Sequence, residues 1–231
     1  MFEEGLSYPL DGDNALGRII IGGLLGFASV LVIPAFALLG YLVWVLRDSA
    51  LGKDEPPAFD DWGAMIVDGL KATVVGISYG ILPFLLVVVS VFVIAGGGAS
   101  GNDTAAGVLG GIGILGILTS VVAMFIIYYL VPAALTNMAL EDSIGAAFDF
   151  GTLKQALLSV DYLVAWLIPF VLAVVVNVVV FLLSVTVIGL VVVPFIQFYV
   201  QVAVFYMFGV AFAKAVDIDG AAVVGADPSI N

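Results

Sequence analysis

The run YLVAWLIPFVLAVVVNVVVFLLSVTVIGLVVVPFIQFYVQVAVFYMFGVAFA, Tyr162 to Ala213, contains no charged residue. As one helix its roughly 52 residues would extend about 78 Å, whereas about 20 residues suffice to cross the ~30 Å hydrocarbon core of a bilayer. The run therefore predicts two crossings joined by a turn. SVTVIG, Ser184 to Gly189, is the expected turn, because it is rich in β-branched residues and ends in glycine.

Three further charge-free intervals flank this run. Ile19 to Leu46 lies between Arg18 and Arg47, Ala72 to Asn102 between Lys71 and Asp103, and Thr104 to Leu140 ends at Glu141. Each predicts one crossing, which gives five spans at about 19–46, 71–95, 108–138, 162–183 and 190–213. The chain is 63% hydrophobic and 10% charged, more apolar than one water-soluble core could bury. These features predict an all-α, multi-pass membrane protein, a single domain over 1–231 with an acidic tail at 214–231.

The net charge of −12 excludes a basic patch for nucleic acid, and the Asp-rich balance suits a protein facing concentrated salt. There is no cysteine or histidine, so thiolate and imidazole chemistry are excluded. No catalytic, metal-binding or cofactor-binding residues are predicted. The N-terminal MFEEGLSYPLDGDNALGR has no basic region ahead of an apolar stretch and predicts no cleaved signal peptide. Five crossings place the termini on opposite sides. Arg47, Lys53, Lys71, Lys154 and Lys214 then share one side and Arg18 lies on the other. That bias predicts an external N-terminus, a cytoplasmic C-terminus and an external Asn102-Asp103-Thr104 sequon.

Laid against itself, the chain suggests a two-span repeat, about 19–95 and 108–183, with 190–213 as an extra span. ILPFLLVVV (Ile81 to Val89) matches LIPFVLAVVV (Leu167 to Val176), and Phe59-Asp60 matches Phe148-Asp149. VIPAFALLG around Pro34 likewise resembles LVPAALTNM around Pro132, and VVPFIQFYV around Pro194 reads as a third start. A two-span unit returns to its starting side, so its copies would be parallel repeats about an axis along the membrane normal.

Within this frame, AFDDWG and AFDFG predict two cytoplasmic-side amphipathic interfacial helices. Asp60 or Asp61 caps the first and Asp149 the second, and the rings of Phe59, Trp62 and Phe148 belong to the same motifs, with Phe59 and Trp62 at headgroup depth. Adjacent carboxylates on a helix diverge, which argues against a catalytic pair at Asp60-Asp61. Pro34, Pro83, Pro132, Pro169 and Pro194 are expected kinks. Gly22-x-x-x-Gly26, Gly76-x-x-x-Gly80 and Gly107-x-x-x-Gly111 are expected close helix contacts. GGGASG, Gly96 to Gly101, has glycine-fingerprint spacing but follows a membrane span, so it predicts a flexible loop. Asn177, Gln197 and Gln201 are the amides inside spans, expected to join helices within the bundle.

DGDNALGRIIIGGLLG, IPAFALLGYLVWVLRDS and EPPAFDDWGAMIVDGLKA resemble the haloarchaeal membrane proteins grouped as domain of unknown function 4013. The resemblance implies a multi-pass helical membrane protein and brings no activity or catalytic residues with it. The expected function is non-enzymatic. The protein would act through lipid or protein contacts in the bilayer, as a homo-oligomer or an accessory subunit of a membrane complex. The alternative is a channel or facilitator for a small neutral solute or lipid, lined by Asn177, Gln197 and Gln201.

Overall fold

The computed structural model describes residues 2–218. They form helices α1 (Phe2–Ser7), α2 (Ala15–Ala28), α3 (Val32–Ala50), α4 (Trp62–Ala99), α5 (Asp103–Glu141), α6 (Phe150–Leu157), α7 (Val160–Ser184) and α8 (Val187–Val216), with no strand among the described residues. Five helices are long and apolar enough to cross a membrane: α3, α4, α5, α7 and α8. The turn between α7 and α8 falls at the expected place, where Thr186 Oγ1 accepts from the Gly189 amide at 2.9 Å and caps α8.

The interval from Ile19 to Leu46 is not one continuous helix. It divides into α2 and α3 at Ser29–Leu31, with Leu31 extended. Pro34 explains the break, since its ring would collide with the carbonyl of residue 30 in a continuous helix. Pro34 instead occupies the first turn of α3, where its missing N–H costs nothing, and so it kinks no helix. Pro83, Pro132, Pro169 and Pro194 do lie inside helices. At 14 residues, α2 spans about 21 Å, too short to cross the bilayer.

The first expected interfacial helix is likewise not a separate element. Asp61 caps α4, accepting from the Ala64 amide at 3.0 Å, and α4 then runs unbroken for 38 residues, about 57 Å. Nothing between Trp62 and Leu70 breaks the helix, so it propagates directly into the span. Phe59 is drawn into ring contacts within the chain. It stacks on Tyr41 at 4.1 Å and lies 6.2 Å from the Phe198 ring. At the second motif a separate short helix does form: Asp149 caps α6, whose Leu153 and Ala156 are buried. There Leu158-Ser159 ends the helix, and Ser159 caps α7.

The described residues form two compact units, one of 2–73 with 132–218 and the other of 74–131. In the first, α8 is the central helix, packing against α1, α2, α3, α6 and α7. Its core gathers Tyr8, Tyr41, Trp44, Met65, Phe198 and Met207. Glycines let the helices approach at backbone distance. A Cβ on Gly40 would strike the Met65 carbonyl, one on Gly69 the Phe36 carbonyl, and one on Gly209 the hydroxyl of Ser49. The expected pair Gly22 and Gly26 faces α8, with the Phe198 ring over Gly22 and Pro194 beside Gly26.

In the second unit, the two facing helix segments meet at Ser90, against Gly113 and Gly116, and at Gly97 against Leu109. A Cβ on Gly76, Gly80, Gly107 or Gly111 would meet nothing within 4 Å, so those two expected motifs make no close contact among the described residues. The helix continues through Gly96–Ala99, so the expected glycine loop shrinks to residues 100–102, with Gly101 at positive φ. Asn102 Oδ1 accepts from the amides of Thr104 and Ala105, which caps α5.

Candidate functional site

All six basic residues belong to the first unit, as do all described acidic residues except Asp103. Its charged end is built around Arg18, 7% exposed. Arg18 opens α2, where the helix folds back on α8. Its Nη1 donates to the Pro56 carbonyl at 3.2 Å, its Nη2 donates to the Asp11 carbonyl, and Glu55 stands at 4.0 Å. The Tyr8 hydroxyl donates to the Glu55 carbonyl at 3.1 Å, and the Tyr8 ring lies 4.1 Å from Tyr206. Burial, with the Asp48 charge adding to it, pushes the Tyr8 hydroxyl pKa up, so it remains a donor. The Tyr199 hydroxyl donates to the Leu6 carbonyl.

These bonds put the N-terminal segment directly against the 54–56 linker.

A second cluster ties α3, α4 and the end of α5. Asp68 accepts from Trp44 Nε1 at 2.8 Å and faces Lys71 Nζ at 2.9 Å, while Lys71 reaches Asp142 at 2.7 Å. The Lys71 ammonium holds the Asp142 carboxyl below the usual carboxylate range. Beside this cluster, the buried Asp48 is paired with Arg47 at 3.2 Å and Lys53 at 3.1 Å.

The end of α5, α6 and the end of α8 surround an open groove of about 680 Å³, lined by Asn137, Glu141, Ser143, Asp149, Thr152 and Phe212. Its polar groups are already engaged in part. Asn137 Nδ2 donates to the Ala146 carbonyl at 2.8 Å, and Thr152 Oγ1 donates to Asp149 at 2.8 Å. The Thr152 hydroxyl, helped by the Gly151 amide, holds the Asp149 carboxyl below its ordinary range. Among the described residues, no group of three or more Asp or Glu is placed to hold a metal ion.

The residues singled out in the sequence are distributed unevenly. Asp60 and Asp61 are exposed at the start of α4, where Asp60 accepts from the Asp61 amide. Trp62 is exposed, and Phe148 is half-buried ahead of α6. Asn177, Gln197 and Gln201 are all exposed, and the glutamine pair joins no helices among the described residues. Arg18, Tyr8, Trp44 and Asp48 went unnoticed as site residues, because a lone arginine at the edge of an apolar run reads as a boundary. The i, i+3 spacing of Asp68 and Lys71 was the one available signal.

Helices of this length and apolarity, tied at one charged end, define a multi-helical integral membrane protein. The chain belongs to the family described as Protein of unknown function (DUF4013), whose model matches residues 24–185. No curated protein and no solved structure matches it.

Proposed function

We propose that the protein is non-enzymatic and acts through protein or lipid contacts within the membrane, as a homo-oligomer or as an accessory subunit of a larger assembly. The observation that carries this reading is how the polar groups are used. At the charged end they bind one another and the backbone, as in Arg18–Pro56, Trp44–Asp68 and Lys71–Asp142, while large apolar side chains of α4, α5 and α7 face outward. Interactions of that kind fix a shape, and the outward surface is what remains for recognition. Both the N-terminal segment and the end of α8 belong to the charged end, which we read as cytoplasmic because it carries every lysine and arginine.

Extraction in mild detergent followed by mass measurement tests the proposal. The expected result is a particle heavier than the 24.0 kDa chain, holding further copies, another protein or tightly retained lipid. A bare single chain would overturn it.

A further inference from the structure

We propose that the Gln197–Gln201 face of α8 is where a second copy of this chain packs, forming a two-fold dimer within the membrane. The inference rests on the reading of the protein as one that works by contacts, and names the surface and the partner.

One side of α8 enters the core through Phe198, Val202 and Tyr206. Another side carries Leu190, Val193, Gln197, Gln201 and Val204, which at 100° per residue fall within a stripe about 80° wide. None of the five is buried, and Leu190, Gln197 and Gln201 are exposed. Gln197 and Gln201 make no hydrogen bond to any described residue. They lie near the middle of a 30-residue apolar helix, one turn apart on the same face.

Hydrocarbon offers neither donor nor acceptor, so a primary amide turned toward lipid loses its hydrogen bonds to water without replacement. Some other group must supply them. A second copy does so without any further chemistry. It inserts in the same orientation, so a two-fold axis along the membrane normal brings Gln197 opposite Gln197 and Gln201 opposite Gln201 at equal depth. Each amide is both donor and acceptor, so the patch is complementary to itself, as an isologous interface requires. Leu190, Val193 and Val204 would continue the seam above and below with shapes that pack without polar groups.

Because the chain has no cysteine, single-cysteine probes give a clean test in native membranes. Val193→Cys and Val204→Cys should each give a disulfide-linked dimer under mild oxidation. Leu82→Cys and Val122→Cys, outward on α4 and α5, should not. The Gln197→Leu/Gln201→Leu double variant should remain folded, since leucine suits a lipid-facing site. It should nevertheless lose at least ten-fold in Val193→Cys cross-linking and run at the mass of one chain, and Gln→Asn at both sites should restore part of the dimer. Three results would each overturn the face. One is an assembly whose mass and cross-links survive the leucine pair, which leaves the contact reading standing. Another is an assembly built only with a different protein. The third is a single chain whose liposomes pass a small neutral solute until the glutamines are replaced, which removes both readings.

Discussion

Gly40 and Gly69 set how closely α3 and α4 approach. Each would place a new Cβ against a backbone carbonyl of the other helix, and a backbone cannot rotate aside as a flexible side chain can. Overpacking of this kind costs about 1–3 kcal/mol. Gly40→Ala should therefore lower the unfolding temperature measured by tryptophan fluorescence in detergent. Gly76→Ala and Gly111→Ala, with open space around them, should leave it unchanged or raise it slightly, because alanine favours a helix by up to about 1 kcal/mol. The spacing in the sequence pointed to Gly76-x-x-x-Gly80, yet the decisive pair is Gly40 with Gly69. A small residue matters only where a partner arrives, and the twenty-eight residues between Gly40 and Gly69 hide that from local inspection.

At the scale of elements, the long helices and the α7–α8 turn were legible, because bilayer thickness converts charge-free length directly into crossings. The fold-back of α2 was not. Length alone allows Ile19 to Leu46 to be one span, and four other prolines are accommodated inside helices without ending them. What distinguishes Pro34 is tertiary: Gly22 and Gly23 admit the rings of Phe198 and Phe195, so α2 gains a packed face on α8 by turning back. The two aromatic-acidic linkers diverge for a local reason. Both begin with an aspartate cap, but only the second has a Leu158-Ser159 stop. Arg18 locks the fold-back by holding the Asp11 and Pro56 carbonyls together from a buried position. Arg18→Met should leave the buried Pro56 carbonyl unpaired, at about 1–3 kcal/mol, and the part-buried Asp11 carbonyl unpaired at a smaller cost. Limited proteolysis should then cut residues 2–12 much faster while the 74–131 hairpin keeps its resistance. Equal protection in both proteins would mean that the arginine is not the lock.

For the whole molecule, the count of crossings decides orientation. In the orientation proposed above, five spans with α2 as an incomplete limb would return the N-terminal segment to the side reached by the ends of α3 and α8. That orientation would improve the charge bias, since Arg18 would join the other five basic residues instead of opposing them. In the proposed orientation α4, about 57 Å long, is expected to leave the bilayer on the outside, which makes the loop at 100–102 the natural external marker. Cysteines placed one at a time at Glu3, Ser100, Gln155 and Val185 should separate into two classes with an impermeant thiol reagent on intact cells or right-side-out vesicles. Ser100 and Val185 should label at once, and Glu3 and Gln155 only after permeabilisation. Labelling of Glu3 together with Ser100 would mean that α2 crosses after all, and the bonds from Tyr8 and Arg18 to the 55–56 linker could not then exist in the membrane. Labelling of all four sites in the reverse sense would keep the fold and invert the protein. The basic residues would then lie outside, against the charge rule that orients membrane helices.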